Sequence, residues 1–345
     1  MFFRNVCYAA ELVSSKPLFL QNQHLQSYVK PQIRKSFHNS RQGSRSGVEP
    51  NPLENLHIDS GPLHARTLVK PLFFTLGVST VSLAGCVIWE YENLRSHASN
   101  LLRKPGSWLS AQQKKILSQF KSEPGPIKKW WNSLRSSEKV FYPILAANLL
   151  VFGAWRVKSL QPIMVKFFCS NPASSAICLP MVLSTFSHYS LLHLAANMYV
   201  LYSFMPAAVA SLGKEQFVAM YLSAGVISSF ASFLYKVVLN QPGLSLGASG
   251  AIMSVLSYVC VQYPDTRLSI IFLPMYTFAA GTAIKAIMSV DFAGVVFGWK
   301  FFDHAAHLGG AVFGIAWCHW GTHIWGNRDK FLQYYHALRK NDSGR

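Results

Sequence analysis

Acidic side chains are scarce in this sequence, and the shortage is localised. Its 345 residues carry 32 lysines and arginines against 14 aspartates and glutamates, and between Val140 and Thr322 the only acids are Glu215, Asp265, Asp291 and Asp303. Charged residues make up 13% of the chain, roughly half the share usual in a soluble domain, while 50% of residues are hydrophobic. A region so long and so weakly charged is not an ordinary soluble core. It points to an all-α polytopic membrane protein. The six cysteines (Cys7, Cys86, Cys169, Cys178, Cys260 and Cys318) form no CxxC pair, which argues against a structural zinc and against a disulfide framework. Cys86, Cys260 and Cys318 fall in apolar helical stretches and read as small buried hydrophobes. No HExxH is present, and the acids that should accompany His319 and His323 in a metal site are missing. Neither metal nor cofactor is expected, and those two histidines read as interfacial. The net charge of +18 comes without a basic-aromatic module, so membrane surface or organelle targeting accounts for it and nucleic acid does not.

Residues 1–45 hold Arg4, Lys16, Lys30, Arg34, Lys35, Arg41 and Arg45 against the single acid Glu11, with no continuous apolar core. That is the composition of a mitochondrial presequence rather than of a secretory signal. Residues 46–70 read as a linker. Pro71 to Trp89 is an uncharged apolar run of 19 residues, which predicts an extra transmembrane helix over 71–90. Residues 91–139 form a basic connecting segment, broken by Lys-Pro-Gly and Glu-Pro-Gly-Pro. Six further spans are expected between 140 and 325: Val140–Trp155, Ser190–Ala210, Gln216–Leu239, Gly247–Tyr263, Leu268–Val290 and Phe301–Thr322. The architecture is then one plus six helices, followed by a basic tail at 326–345. Ile163–Phe168 suits a re-entrant or interfacial position. Lys236 is placed to snorkel at the end of its span. Pro274 would kink the fifth, and Lys285 and Asp291 read as boundary charges on it.

The second, fourth and sixth of these core spans run in one direction, and each carries its polar residues near its start. His193 and Asn197 stand at i, i+4 on the second, Ser249 two residues into the fourth, and His307 about six into the sixth. At ~1.5 Å per residue all four lie within a few turns of one membrane face. Polar groups inside apolar spans are costly and suggest function. A serine hydroxyl needs a base to become a nucleophile, and His307 is the candidate base for Ser249. The Ser249 N–H at a helix start, with His193 and Asn197, would supply donors for an oxyanion. Gly247, Gly250 and Gly310 would let the helices approach closely. Asp303, four residues before His307, reads as a helix-start acid, with a place in a triad as the alternative. A Ser–His dyad is the favoured arrangement.

Gly247-x-Ser249-Gly250, His193-x-x-x-Asn197 and Ala306-His307-x-x-Gly310 on alternating spans resemble the rhomboid intramembrane serine proteases. The likeness covers about residues 70 to 335, and the extra first helix, the presequence-like start and the run Trp299–Gly310 resemble more narrowly the mitochondrial members. The resemblance implies a six-helix rhomboid core plus one N-terminal helix. It also implies an inner-membrane, multi-pass endopeptidase that cleaves single-span membrane proteins in or near the bilayer. In that reading Ser249 is the nucleophile, His307 the base, and His193 and Asn197 part of the oxyanion hole. Met253 stands where many members carry a tyrosine against the catalytic histidine, and Trp155-Arg156 precedes the first long loop rather than lying inside it. The competing reading is a catalytically inactive rhomboid-like protein that binds membrane helices; loss of the serine or the histidine would mark it, and both are present. The residues carry no signal of oligomeric state. Positive-inside counting puts 91–139 and the tail in the matrix, whereas a presequence-led N-terminus retained there predicts the reverse.

Overall fold

The computed structural model describes residues 59–102, 125–270 and 273–342. The presequence-like region 1–45, residues 46–58 of the linker, residues 103–124 of the basic connection and the last three residues lie outside the described residues. What is described is overwhelmingly helical. Helix α1 (Val69–Leu102) is followed by a short α2 (Pro126–Ser133), then α3 (Ser136–Ala154) and α4 (Gln161–Phe168). A turn of helix, α5 (Leu179–Leu183), leads to α6 (Leu191–Leu212), α7 (Lys214–Val238) and α8 (Ser249–Gln262). An antiparallel hairpin of β1 (Arg267–Ile270) and β2 (Leu273–Ala279) then feeds α9 (Ala280–Phe297). Last come α10 (His304–Ala316), extended by a π-helical turn and α11 (Thr322–Gly326), and α12 (Asp329–Asp342).

Among the described residues four helical segments are long and apolar enough to cross a bilayer: Ala65–Ser99, Leu191–Leu212, Lys214–Val238 and Ala280–Phe297. The bent pair α3 and α4, which meet at 99°, adds a fifth when taken as one span. Residues 163–168 therefore turn away from the α3 axis, as an interfacial or re-entrant piece should. At 34 residues α1 is about 51 Å long, well beyond a ~30 Å hydrocarbon core. Phe73, Leu76 and Val81 face outwards from it. Its other side packs on α7 and its neighbours, with Phe74 and Val78 beside Met181, Val226 and Phe233, and Cys86 and Val87 beside Ala219 and Trp325.

Glycine makes one connection possible. Gly213 has φ +80°, open to glycine at little cost, so α6 hands over to α7 with no intervening loop. Helix α8 is only 14 residues long and is enclosed by α6, α7, α9 and α10; every residue from Gly250 to Cys260 is buried. In lipid there is little hydrophobic drive between helices, so close backbone packing and hydrogen bonds must hold such a helix in place. Small residues provide both. Ser257 Oγ on α8 donates to the Ala311 carbonyl on α10 at 2.9 Å, and Gly310 and Gly314 press against the Gly250 and Ser254 carbonyls.

At the other end, α12 lies along the polar end of α1. Arg328 and Arg339 pair with Glu90 and Glu92, and Tyr335 Oη donates to Glu92 at 3.2 Å. The chain after α10 thus returns to the side on which α1 ends. The Leu63 N–H donates to Asn240 Oδ1 at 2.9 Å, so the start of α1 adjoins the loop that leads into α8.

Two expectations need correction. The fifth span, read as 268–290, begins at Ala280, and residues 267–270 and 273–279 are paired strands. Ile270, Ile271, Phe272, Tyr276, Thr277 and Phe278 are as comfortable in a strand as in an apolar helix, and Pro274 cannot sit inside a helix without breaking a hydrogen bond. Pro274 consequently kinks nothing. Lys236 does not snorkel: its ammonium is buried, donates to the Gly243 carbonyl at 2.9 Å and to Ser245 Oγ, and stands 3.8 Å from Asp303.

Candidate active site

The approach to Ser249 is shaped by two loops that hold each other. The loop between α4 and α5 and the loop before α8 join in an antiparallel bridge, Ser170 N–H to Ser245 O at 2.7 Å and Ser245 N–H to Ser170 O at 2.9 Å. Two residues on, Gly247 has φ +126°, a conformation strained for any residue with a Cβ. Its N–H donates to the Ser184 carbonyl at 2.9 Å, and the Ala248 N–H to His188 Nε2 at 3.4 Å. His188 is thereby a fully buried support of this turn. The sharp entry leaves Ser249 as the first residue of α8, half-buried, with its own N–H among those that a helix cannot satisfy internally.

Opposite Ser249 stands His307, one turn into α10. His307 Nε2 lies 2.8 Å from Ser249 Oγ. Glycine permits that distance. A Cβ at Gly250 would fall 2.5 Å from Ser228 Cβ, and one at Gly310 would overlap the Gly250 carbonyl. The Phe302 ring lies 5.9 Å from the His307 ring at 35°, against the side of the imidazole. Met253 is buried within α8.

His193 and Asn197 occupy the first two turns of α6. The His193 ring meets that of His188 edge-on at 4.9 Å, and a Cβ on Gly247 would lie 2.8 Å from His193 Cε1. His193 thus rests over the turn leading into Ser249. Asn197 is buried and spends one amide N–H on the His193 carbonyl at 2.8 Å, which leaves the second available. The four polar residues expected at one depth are gathered at one end of α6, α8 and α10. Trp155 Nε1 donates to Ser187 Oγ at 2.9 Å, and Arg156 reaches the Tyr189 carbonyl, so this pair does fasten the end of the long loop next to His188.

The acids divide differently from the sequence expectation. Asp303 N-caps α10, accepting the Ala306 N–H at 3.0 Å, and its other oxygen takes Ser232 Oγ, Ser245 Oγ and the Lys236 ammonium. It ties α10 to α7 and to the Ser249 loop rather than facing the His307 ring. Asp291, read as a boundary charge, is instead 4% exposed in the middle of α9. Its Oδ1 accepts from His304 Nδ1 at 2.7 Å and lies 3.2 Å from His307 Nδ1. Sequence reasoning missed it because the misplaced fifth span put Asp291 at a helix end. Donor atoms of Asp291, His304 and His307 lie within 4.8 Å of one another, which is the one grouping among the described residues that could hold a metal ion. At 2.7 and 3.2 Å Asp291 Oδ1 is hydrogen-bonded to both Nδ1 atoms, while His304 Nε2 is buried with no partner.

Comparison with known proteins gives a consistent result. Residues 178–322 match the rhomboid domain family model. The chain is 49% identical over 314 residues to the mitochondrial presenilin-associated rhomboid-like protein of Bos taurus, covering 90% of this chain and 82% of that protein. It is 50% identical over 299 residues to the human protein of the same name, covering 86% and 78%. Rhomboid protein 1, mitochondrial, of Saccharomyces cerevisiae is 30% identical over 180 residues, covering 52% of each.

Proposed function

This chain belongs to the rhomboid family and is an intramembrane serine peptidase acting on membrane proteins, and on that premise we propose that Ser249 and His307 carry out the hydrolysis in the inner mitochondrial membrane. The mitochondrial assignment follows the names of the relatives and the presequence-like composition of residues 1–45. The proposed organisation is a presequence-like region (1–45), a linker (46–70), one helix ahead of the core (71–90), a basic connection (91–139), a six-span core (140–325) and a basic tail (326–345). The return of α12 to the end of α1 favours an even number of crossings between them.

In the proposed mechanism Ser249 Oγ attacks the scissile carbonyl carbon while His307 Nε2 takes the hydroxyl proton. The carbonyl oxygen becomes an oxyanion, met by the Ser249 N–H, the free amide N–H of Asn197 and His193. Collapse of the intermediate expels the amine, which receives its proton from His307, and leaves an acyl-Ser249. Water, deprotonated by His307, then releases the acid and regenerates the serine. The substrates are single-span membrane proteins, whose scissile peptide must reach the buried end of α8.

The 2.8 Å contact between His307 Nε2 and Ser249 Oγ carries this reading. Purified full-length protein, Ser249→Ala and His307→Ala are incubated in detergent with a single-span substrate. Cleavage by wild type alone is expected, together with fluorophosphonate labelling that disappears in Ser249→Ala. Cleavage by all three alike would refute it.

A further inference from the structure

Lys236 on α7 and Asp303 at the head of α10 form an ion pair with a gap in it. The Lys236 ammonium stands 3.8 Å from Asp303 Oδ2, beyond hydrogen-bonding reach, and the two side chains are only 13% and 21% exposed. Ser245 fills the gap. Its Oγ accepts from the Lys236 ammonium and donates its one proton to Asp303 Oδ2. An ammonium only donates and a carboxylate only accepts, so that hydroxyl has a single orientation. The remaining valences are met close by. Lys236 also donates to the Gly243 carbonyl at 2.9 Å, and Asp303 accepts Ser232 Oγ at 2.5 Å and the Ala306 N–H at 3.0 Å. Burying two charges gains little over apolar packing, so the pair is better explained by what it fixes.

What it fixes is a loop. Ser245 belongs to neither helix: it lies on the segment that enters α8, four residues before Ser249, just as Asp303 lies four residues before His307. The Asp303 carbonyl accepts the His307 N–H at 3.0 Å. A ring therefore closes, from Ser249 back along its loop to Ser245, across to the Asp303 carboxylate, on to His307, and from His307 Nε2 to Ser249 Oγ at 2.8 Å. The main chain of Ser245 is held from elsewhere, by its two hydrogen bonds with Ser170. Those bonds fix the loop against the α4–α5 loop and make no reference to α10. The tie to the helix of the base is made by the Ser245 hydroxyl.

We propose that Ser245 is a positioning residue for Ser249, clamped by Lys236 and Asp303 so that the loop of the nucleophile and the start of the helix of the base move as one. This rests on the reading of Ser249 and His307 as nucleophile and base. No bond forms in the clamp and no proton passes through it during hydrolysis. It sets where Ser249 Oγ stands when His307 Nε2 takes its proton. Ser232 supplies an internal comparison, because it donates to the same Asp303 oxygen from within α7, off the loop.

The test uses the full chain in proteoliposomes with a single-span reporter, reading kcat, KM, the rate constant of fluorophosphonate labelling per folded molecule, and the melting temperature. Ser245→Ala should lower kcat and the labelling rate constant about tenfold or more, with KM little changed, because the loop can then drift from α10. Ser232→Ala should keep both within about twofold of wild type while lowering the melting temperature to a similar extent. Lys236→Met should lower kcat about as much as Ser245→Ala, and the two together little further, since one clamp can be broken only once; additive losses would overturn it. Wild-type kcat and labelling in Ser245→Ala, or equal losses in Ser232→Ala and Ser245→Ala, would overturn the positioning role alone, provided Ser249→Ala and His307→Ala are inactive. If Ser245→Ala does not yield folded protein, Ser245→Thr and Ser245→Val decide, being alike in shape and differing in the hydroxyl: equal activity overturns the proposal. Activity surviving in Ser249→Ala would instead refute the reading beneath it.

Discussion

Adding a single methyl at Gly310 should do more damage to catalysis than its size suggests. The Cβ of Gly310→Ala would overlap the Gly250 carbonyl and lie 2.8 Å from the carbonyl carbon, where ordinary contact begins at 3.4 Å. Neither partner is a side chain that can swing away, since the obstacle is helix backbone. Helices α8 and α10 must therefore part by at least about 0.6 Å on that pair, and by more against the carbonyl oxygen. Overpacking of this kind costs about 1–3 kcal/mol of stability. The same parting stretches the Ser249–His307 contact from 2.8 Å to beyond about 3.4 Å, near the limit of a useful hydrogen bond. Misplacement approaching 1 Å can cost on the order of 10²-fold in rate. Gly310→Ala is thus expected to lower kcat about 10- to 100-fold per folded molecule while lowering the melting temperature by several degrees. Gly85→Ala serves as the control, because nothing lies within 4 Å of the added carbon; its rate and melting temperature should not fall. Reporter cleavage in proteoliposomes and active-site labelling measure both variants. Wild-type kcat in Gly310→Ala would refute the argument that glycine sets the distance between nucleophile and base.

Three further outcomes are expected. His193→Ala and Asn197→Ala should each reduce kcat about 10²–10³-fold, with smaller effects on KM, in a steady-state assay, because each would remove a proposed oxyanion donor. Asp303→Ala should lower the melting temperature more than Asp303→Asn: alanine loses the α10 cap, about 1 kcal/mol, and both leave Lys236 buried without its carboxylate, about 3–5 kcal/mol more. Cleavage should survive EDTA, since Asp291 is already hydrogen-bonded to His304 and His307 and the proposed serine chemistry uses no metal; loss of activity restored by zinc would contradict that.

The helical membrane class could be read from the shortage of acids, and Ser249 and His307 could be paired because each is a polar residue inside an otherwise apolar run. Depth along parallel spans brought His193 and Asn197 into the same group. Asp291 escaped for a reason of register. An apolar run from Leu268 onwards looks like the start of a helix, and from that start Asp291 falls at the far end as a boundary charge. The helix begins at Ala280, and the same residue becomes its twelfth of eighteen. Branched and aromatic side chains at 270–278 do not distinguish strand from buried helix by hydrophobicity. Lys236 was misread for a different cause: its partner Asp303 is 67 residues away, and no local pattern announces a pairing at that separation. The two acids consequently exchanged parts. Asp303, closer to His307 in sequence, serves the fold, while Asp291, sixteen residues before it, touches the imidazole.

Helix α8 has 14 residues and so measures about 21 Å, whereas its neighbours α6 and α7, with 22 and 25, measure roughly 33 and 38 Å. Enclosed by α6, α7, α9 and α10, it is spared any mismatch with the lipid, and Ser249 opens it beside the first turns of α6 and α10. A peptide bond in an intact helix has its carbonyl engaged and its backbone wrapped in side chains, so under the proposed function a substrate helix would have to uncoil locally before Ser249 could attack it. That need to uncoil would act as a gauge of helix strength. Under the proposed function, membrane segments weakened near one end by glycine, proline or β-branched residues are expected to be cut in preference to well-formed membrane helices.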